Sequence, residues 1–71
     1  MKQAILTLDD IQIGNLFTII GTDESEIYLK TNMIDRKNSN VYCCKLKSGF
    51  VEALPEGLPV TLKENLLDSI L

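Results

Sequence analysis

Seventy-one residues at a net charge of −3 allow one small domain, near the lower size at which a core stands without metals, disulfides or partners. An apolar fraction of 45% argues against wholesale disorder, and the lack of histidine removes the commonest general base and the commonest zinc ligand together. Charge is segregated: residues 3–29 carry five acidic and no basic side chains, 30–47 five basic against one acidic, and 48–71 four acidic against one basic. That dipolar pattern suits head-to-tail or two-fold association, or a local anion site, and does not suit duplex DNA.

The amino-terminal MKQAILTLDD has too short an apolar run for a signal peptide or a membrane span, so the expectation is a cytoplasmic protein with reduced thiols. In the same stretch Thr7, Asp9 and Asp10 can cap a tight turn, and Gly14-Asn15 breaks the chain again. The run LFTIIG, ended by Gly21, predicts a strand buried on both faces. After the acidic turn GTDESE, IYLKTNM alternates with period two: Ile27, Leu29, Thr31 and Met33 on one face, Tyr28, Lys30 and Asn32 on the other.

The polar tip DRKNSN offers asparagines that tolerate positive φ. VYCCKLK alternates again, with Tyr42, Cys44 and Leu46 opposed to Val41, Cys43, Lys45 and Lys47. KSG predicts a hairpin loop with glycine at positive φ, FVEAL a fourth strand, and PEGLP a stop to that ladder. PVTLK reads as a closing strand through about Lys63, followed by a helical turn or two, although Thr61 with Glu64 also fits the cap of a helix over 61–71. The whole chain, 1–71, is thus expected to be a single, mainly β domain: a five-stranded antiparallel SH3-like barrel or a strongly bent sheet, with a short carboxyl-terminal helical turn.

The segments IQIGNLF (11–17), IYLKT (27–31), CCKLKSGFVEAL (43–54) and LPVTL (58–62) resemble a set of small uncharacterised phage and bacterial β-barrel proteins with the pattern GDLF…YxKT…NLKTGELV. Cys43, Cys44 and Lys45 depart from it, standing where those proteins usually have Ala-Val-Asn. The resemblance implies a phage-type β-barrel with no enzymatic activity, of a kind that often works by blocking a host defence protein or sequestering a nucleotide signal.

Two adjacent cysteines on a strand point to opposite faces, so Cys43 and Cys44 do not ligate one metal, and no third cysteine or histidine exists to help them. The expectation is that Cys44 packs beside Tyr42 and Leu46 while Cys43 is exposed or lies in an interface. There Lys45 and Lys47 could lower its thiol pKa, and whether Cys43 is reactive stays open. Lys30, Lys45 and Lys47, expected on the outward side of two pairing strands with Tyr28, form a candidate anion or nucleotide site, and Arg36 sits at a loop tip within a ligand's reach. The plainer alternative is that the lysines solvate a face and blunt an edge strand. Asp23, Glu24 and Glu26 either form a solvated turn or meet a basic partner.

Leu62, Leu66, Leu67, Ile70 and Leu71 give the tail more apolar surface than so small a barrel buries, so the tail, 64–71 included, forms either a subunit interface or a plug. Without a histidine to activate serine or threonine, and with carboxylates only in solvated turns, the reading is non-enzymatic, with no cofactor and no metal. The expectation is a binding protein that forms a homo-oligomer, and the resemblance implies that it occupies a host defence protein. The alternatives are an oligomeric sponge for a nucleotide signal and a binder of single-stranded nucleic acid. No membrane association is expected.

Overall fold

The structure, a computed structural model, describes residues 5–63. Over that span the protein is mainly β, with six antiparallel strands in one open sheet: β1 (Leu6–Thr7), β2 (Leu16–Ile19), β3 (Ile27–Asp35), β4 (Asn40–Lys45), β5 (Val51–Pro55) and β6 (Pro59–Leu62). Their spatial order is β1-β6-β2-β3-β4-β5. The expected count of five is corrected to six by β1, whose two residues pair Leu6 with Val60 and Thr7 with Pro59. Two residues are too few to show a period, and their partners lie near the other end of the described chain.

Leu8–Asp10 make a single 3-10 turn after β1. The Thr7 main-chain N–H donates to the Asp10 carboxylate at 2.9 Å, and the Thr7 hydroxyl donates to both Asp9 and Asp10, so the expected capping forms. The Thr7 N–H, and after it the Thr7 hydroxyl, hold the Asp10 carboxyl below its usual range, with the Lys30 charge helping. Gly14, Gly21 and Gly49 all adopt positive φ. Gly49 does so inside the β4–β5 loop, as the hairpin requires. In the β3–β4 turn the positive φ falls on Ser39 (55°) and not on an asparagine.

β2 is the central strand, with Leu16, Phe17 and Thr18 buried in succession, as the apolar run predicts. The β3–β4 ladder pairs Tyr28 with Lys45, Leu29 with Cys44 and Lys30 with Cys43, then shifts register before Ile34 meets Val41. At this bulge the Thr31 hydroxyl donates to the Tyr42 carbonyl at 2.6 Å. The bulge displaces the main-chain donor expected there, and a side-chain oxygen takes its place.

The link from β5 to β6 makes the sheet curl. In a flat sheet of this order β5 and β6 would stand four spacings apart, about 19 Å. The chain from Pro55 to Pro59 spans at most about 14 Å and is tightened further by a Leu58 N–H to Pro55 carbonyl bond of 3.2 Å. Curling brings the 56–58 segment against the 3-10 turn, where Leu8 donates to the Leu58 carbonyl (2.9 Å) and Asp9 to the Glu56 carbonyl (3.0 Å). One face of the sheet becomes concave and encloses Leu8, Ile11, Phe17, Tyr28, Val41, Cys43 and Val60, with Leu6, Ile19, Leu54, Leu58 and Leu62 packed around them. Each large side chain so buried contributes about 1.5–3 kcal/mol.

β6 ends at Leu62 with Thr61 inside the strand, so the reading of a helix beginning at Thr61 is corrected: both residues complete the ladder beside β2. The expected helical turn over 64–71 lies outside the described residues. No helix among the described residues is long and apolar enough to cross a membrane.

Candidate interaction surface

Strict alternation holds through the Tyr28–Lys30 and Val41–Lys45 stretches, but the sheet turns the opposite way from expectation. The concave face carries a cross-strand row of Leu62, Phe17, Tyr28 and Lys45, and beside it a second row of Lys30, Cys43 and Glu52. Phe17 and Tyr28 stack with ring centroids 5.6 Å apart and planes at 17°. Tyr28 and the two lysines therefore face inward. Lysine stems are apolar, and a lysine can line a core edge when its ammonium finds a partner at the rim.

Both ammonium groups have found one. Lys30 Nζ donates to the carbonyls of Ile11 (2.5 Å) and Leu8 (3.0 Å), closing the end of the 3-10 turn. Lys45 Nζ lies 3.4 Å from Glu26 and 4.0 Å from Glu52, and 5.8 Å from the centroid of the Tyr28 ring. Glu26 first, then the Tyr28 hydroxyl, raises the affinity of Lys45 for its proton. The structure thus brings Tyr28, Lys30 and Lys45 together as expected, but as an internally compensated group. Tyr28 is almost wholly buried and stacked on Phe17, leaving no open face for a base.

Lys47 leaves this face altogether, standing exposed in the β4–β5 turn because β4 ends at Lys45. Arg36 is exposed in the β3–β4 turn, at the far end of the hairpin from Lys45. About seven residues of strand, roughly 23 Å, lie between the two ends, so one small ligand does not bridge them. Of the apolar tail residues, Leu62 is half-buried against the core, while Leu66, Leu67, Ile70 and Leu71 lie outside the described residues. Asp23 is held below its usual range by the main-chain N–H of Ser25, the signature of a local turn.

The cysteines separate to opposite faces, but their environments are exchanged relative to expectation. Cys43 is fully buried between Lys30 and Glu52 on the concave face, and Cys44 is half-buried on the convex face with Tyr42 and Leu46. Burial pushes the Cys43 thiol up to about 11, outweighing the opposing pull of Lys30. On that open point desolvation outweighs the neighbouring positive charge, so the thiolate is disfavoured. Among the described residues no three His, Cys, Asp or Glu side chains gather as a metal-holding group.

The convex face shows what the sequence pattern did not single out. Its central cross-strand row runs Leu16, Leu29, Cys44, Val51, and it opens progressively: Leu16 is buried, Leu29 and Cys44 are half-buried, and Val51 is 59% exposed. On the same hairpin Leu46 is 41% and Phe50 69% exposed, with Phe50 standing opposite Lys45. The only hint in the sequence was a hairpin loop flanked directly by Leu46, Phe50 and Val51, where polar residues are usual. Leu46, Phe50 and Val51 thus leave the end of this hairpin rich in exposed apolar side chains, with Lys45 and Lys47 flanking Leu46 in the chain.

Comparison with protein-family models, with curated proteins and with solved structures finds no match to this chain.

Proposed function

We propose that the chain is a non-enzymatic binding protein of phage type that occupies a bacterial host protein, with host defence proteins the partner class favoured. The observation that carries this reading is the set of exposed apolar side chains Leu46, Phe50 and Val51 at the tip of the β4–β5 hairpin. Exposed aromatic and aliphatic side chains on a rigid hairpin are the anchors from which protein interfaces are built. The inward lysines support the same conclusion indirectly, because their ammonium groups are already engaged with carbonyls and carboxylates. In this reading the curled sheet is an SH3-like barrel left open between its edge strands, and the protein works in the cytoplasm as a homo-oligomer.

The test is affinity capture from bacterial lysate by the immobilised chain, run beside a Leu46→Ser, Phe50→Ser variant of matched thermal stability. A protein retained by the wild type and lost by the variant is the expected result. Calorimetric titration against cyclic oligonucleotides and adenine-ribose signals runs in parallel. Heat from any of them that vanishes in Lys45→Ala would replace this reading with that of a nucleotide sponge.

A further inference from the structure

The free edge of β5 carries a pairing pattern that complements itself. The Lys45 N–H donates to the Phe50 carbonyl at 2.8 Å, which makes 45/50 a hydrogen-bonded pair of the β4–β5 ladder. Antiparallel pairs alternate, so 43/52 and 41/54 are bonded in turn, while the N–H and C=O groups of Val51 and Ala53 point away from β4. Pro55 follows the same phase, so its missing N–H falls on the open side, where an edge strand tolerates proline. β5 is the last strand in the sheet order, and its open side meets no other strand among the described residues.

We infer that β5 pairs antiparallel with β5 of a second copy of this chain about a two-fold axis at Ala53. This deepens the self-association in the proposed function by naming its strand and register. Centred there, each Ala53 N–H donates to the other Ala53 carbonyl, and each Val51 N–H donates to the Pro55 carbonyl of the other copy. The Pro55 carbonyl already accepts from Leu58 at 3.2 Å, but a carbonyl has a second lone pair to offer. Proline then ends the ladder on both sides, so the pair closes and does not propagate.

Charge selects this register over its neighbour. Centred on Ala53, Glu52 faces Leu54 of the other copy. A shift that centres on Glu52 would set two carboxylates directly opposite, which is destabilising. Lys45, 4.0 Å from Glu52 within its own chain, offsets the remaining charge. The pairing also places Val51 beside Pro55 of the second copy on the convex side, covering part of the apolar surface that each copy exposes.

Amide hydrogen exchange on the wild-type chain, followed from dilute to concentrated solution, reads the edge without any substitution. The expected result is that the Val51 and Ala53 amides slow by about tenfold or more with concentration, together with a rise in molar mass by light scattering to that of two chains. Ala53→Pro removes one outward donor and should return the chain to a monomer with its circular dichroism unchanged. Deleting residues 64–71 should leave the pair intact. A wild-type monomer at all concentrations, fast exchange of both amides in an associated form, or association that survives Ala53→Pro but not the tail deletion would each overturn the inference. Ala53→Pro keeps Leu46 and Phe50, so partner capture is read independently of dimer formation.

Discussion

The Lys30 ammonium donates to the main-chain carbonyl of Ile11 at 2.5 Å, tying the middle of β3 to the end of the 3-10 turn 19 residues earlier. The same ammonium reaches the Leu8 carbonyl, which also accepts from the Ile11 N–H at 3.1 Å, so one side chain ties both ends of the turn. Replacing Lys30 with methionine keeps the apolar stem and removes the donor. Urea unfolding should show a loss of about 1–3 kcal/mol, the cost of leaving the Ile11 carbonyl unpaired. Lys30→Arg should recover part of it. A Lys30→Met variant as stable as wild type would mean that water serves those carbonyls equally well.

Thiol chemistry distinguishes the two faces of β4. A disulfide-exchange reagent should modify Cys44 readily in the folded protein and Cys43 only as fast as the chain unfolds, because the thiolate is the reacting species and burial suppresses it at Cys43. One fast equivalent in native conditions and two in denaturant is the expected count. Cys44→Ala should abolish the fast phase. Loss of the fast phase in Cys43→Ala instead would invert the assignment of faces.

Alkaline pH should weaken the fold. The Cys43 thiol sits near 11 when folded, against about 8.5 in an unfolded chain, and Glu26 holds the Lys45 proton more tightly than usual. Both groups bind protons better in the folded state. Their contribution is therefore complete below the unfolded values and is lost as pH rises through the folded ones. Urea midpoints should fall from about pH 8.5 upward, and Cys43→Ala should flatten that decline. At the acid end Asp10 and Asp23 act in the opposite sense: their depressed values add stability above about pH 4 that disappears as pH drops. Asp10→Asn should soften the acid transition.

The bulge gives a fourth test. Thr31→Val keeps the shape of the side chain and deletes the donor to the Tyr42 carbonyl. A loss of about 1 kcal/mol is expected from one hydrogen bond of this kind. Thr31→Ser should be nearly neutral, since it retains the hydroxyl. A Thr31→Val variant as stable as wild type beside a destabilised Thr31→Ser would mean that the methyl group and not the hydroxyl holds the bulge.

Much of the strand plan is legible from local pattern alone. The run at 16–19 is apolar enough to announce a central strand, and the segments 27–33 and 41–45 alternate cleanly. What alternation leaves open is which face turns inward. On β3 and β4 both faces carry apolar groups: Ile27, Leu29, Tyr42 and Cys44 on one, Tyr28, Val41 and Cys43 on the other. The lysines tip the reading toward solvent for the second set. They do so wrongly, because their partners, the Leu8 and Ile11 carbonyls and Glu26, arrive from distant parts of the chain. β1 and the bulge escape notice for a related reason. Each is fixed by a non-local partner, and neither leaves a periodic trace in its own few residues.

The exposed apolar tip of the β4–β5 hairpin is the basis of the functional reading, and paired affinity capture tests it most directly. The immobilised wild type and the Leu46→Ser, Phe50→Ser variant are compared on the same bacterial lysate after their folds are matched by thermal midpoint. The account predicts one host protein retained by the wild type and reduced about tenfold or more on the variant, a loss of at least ~1.4 kcal/mol of binding. Equal retention by both proteins, or capture that depends on Lys45 and not on the apolar pair, would contradict it.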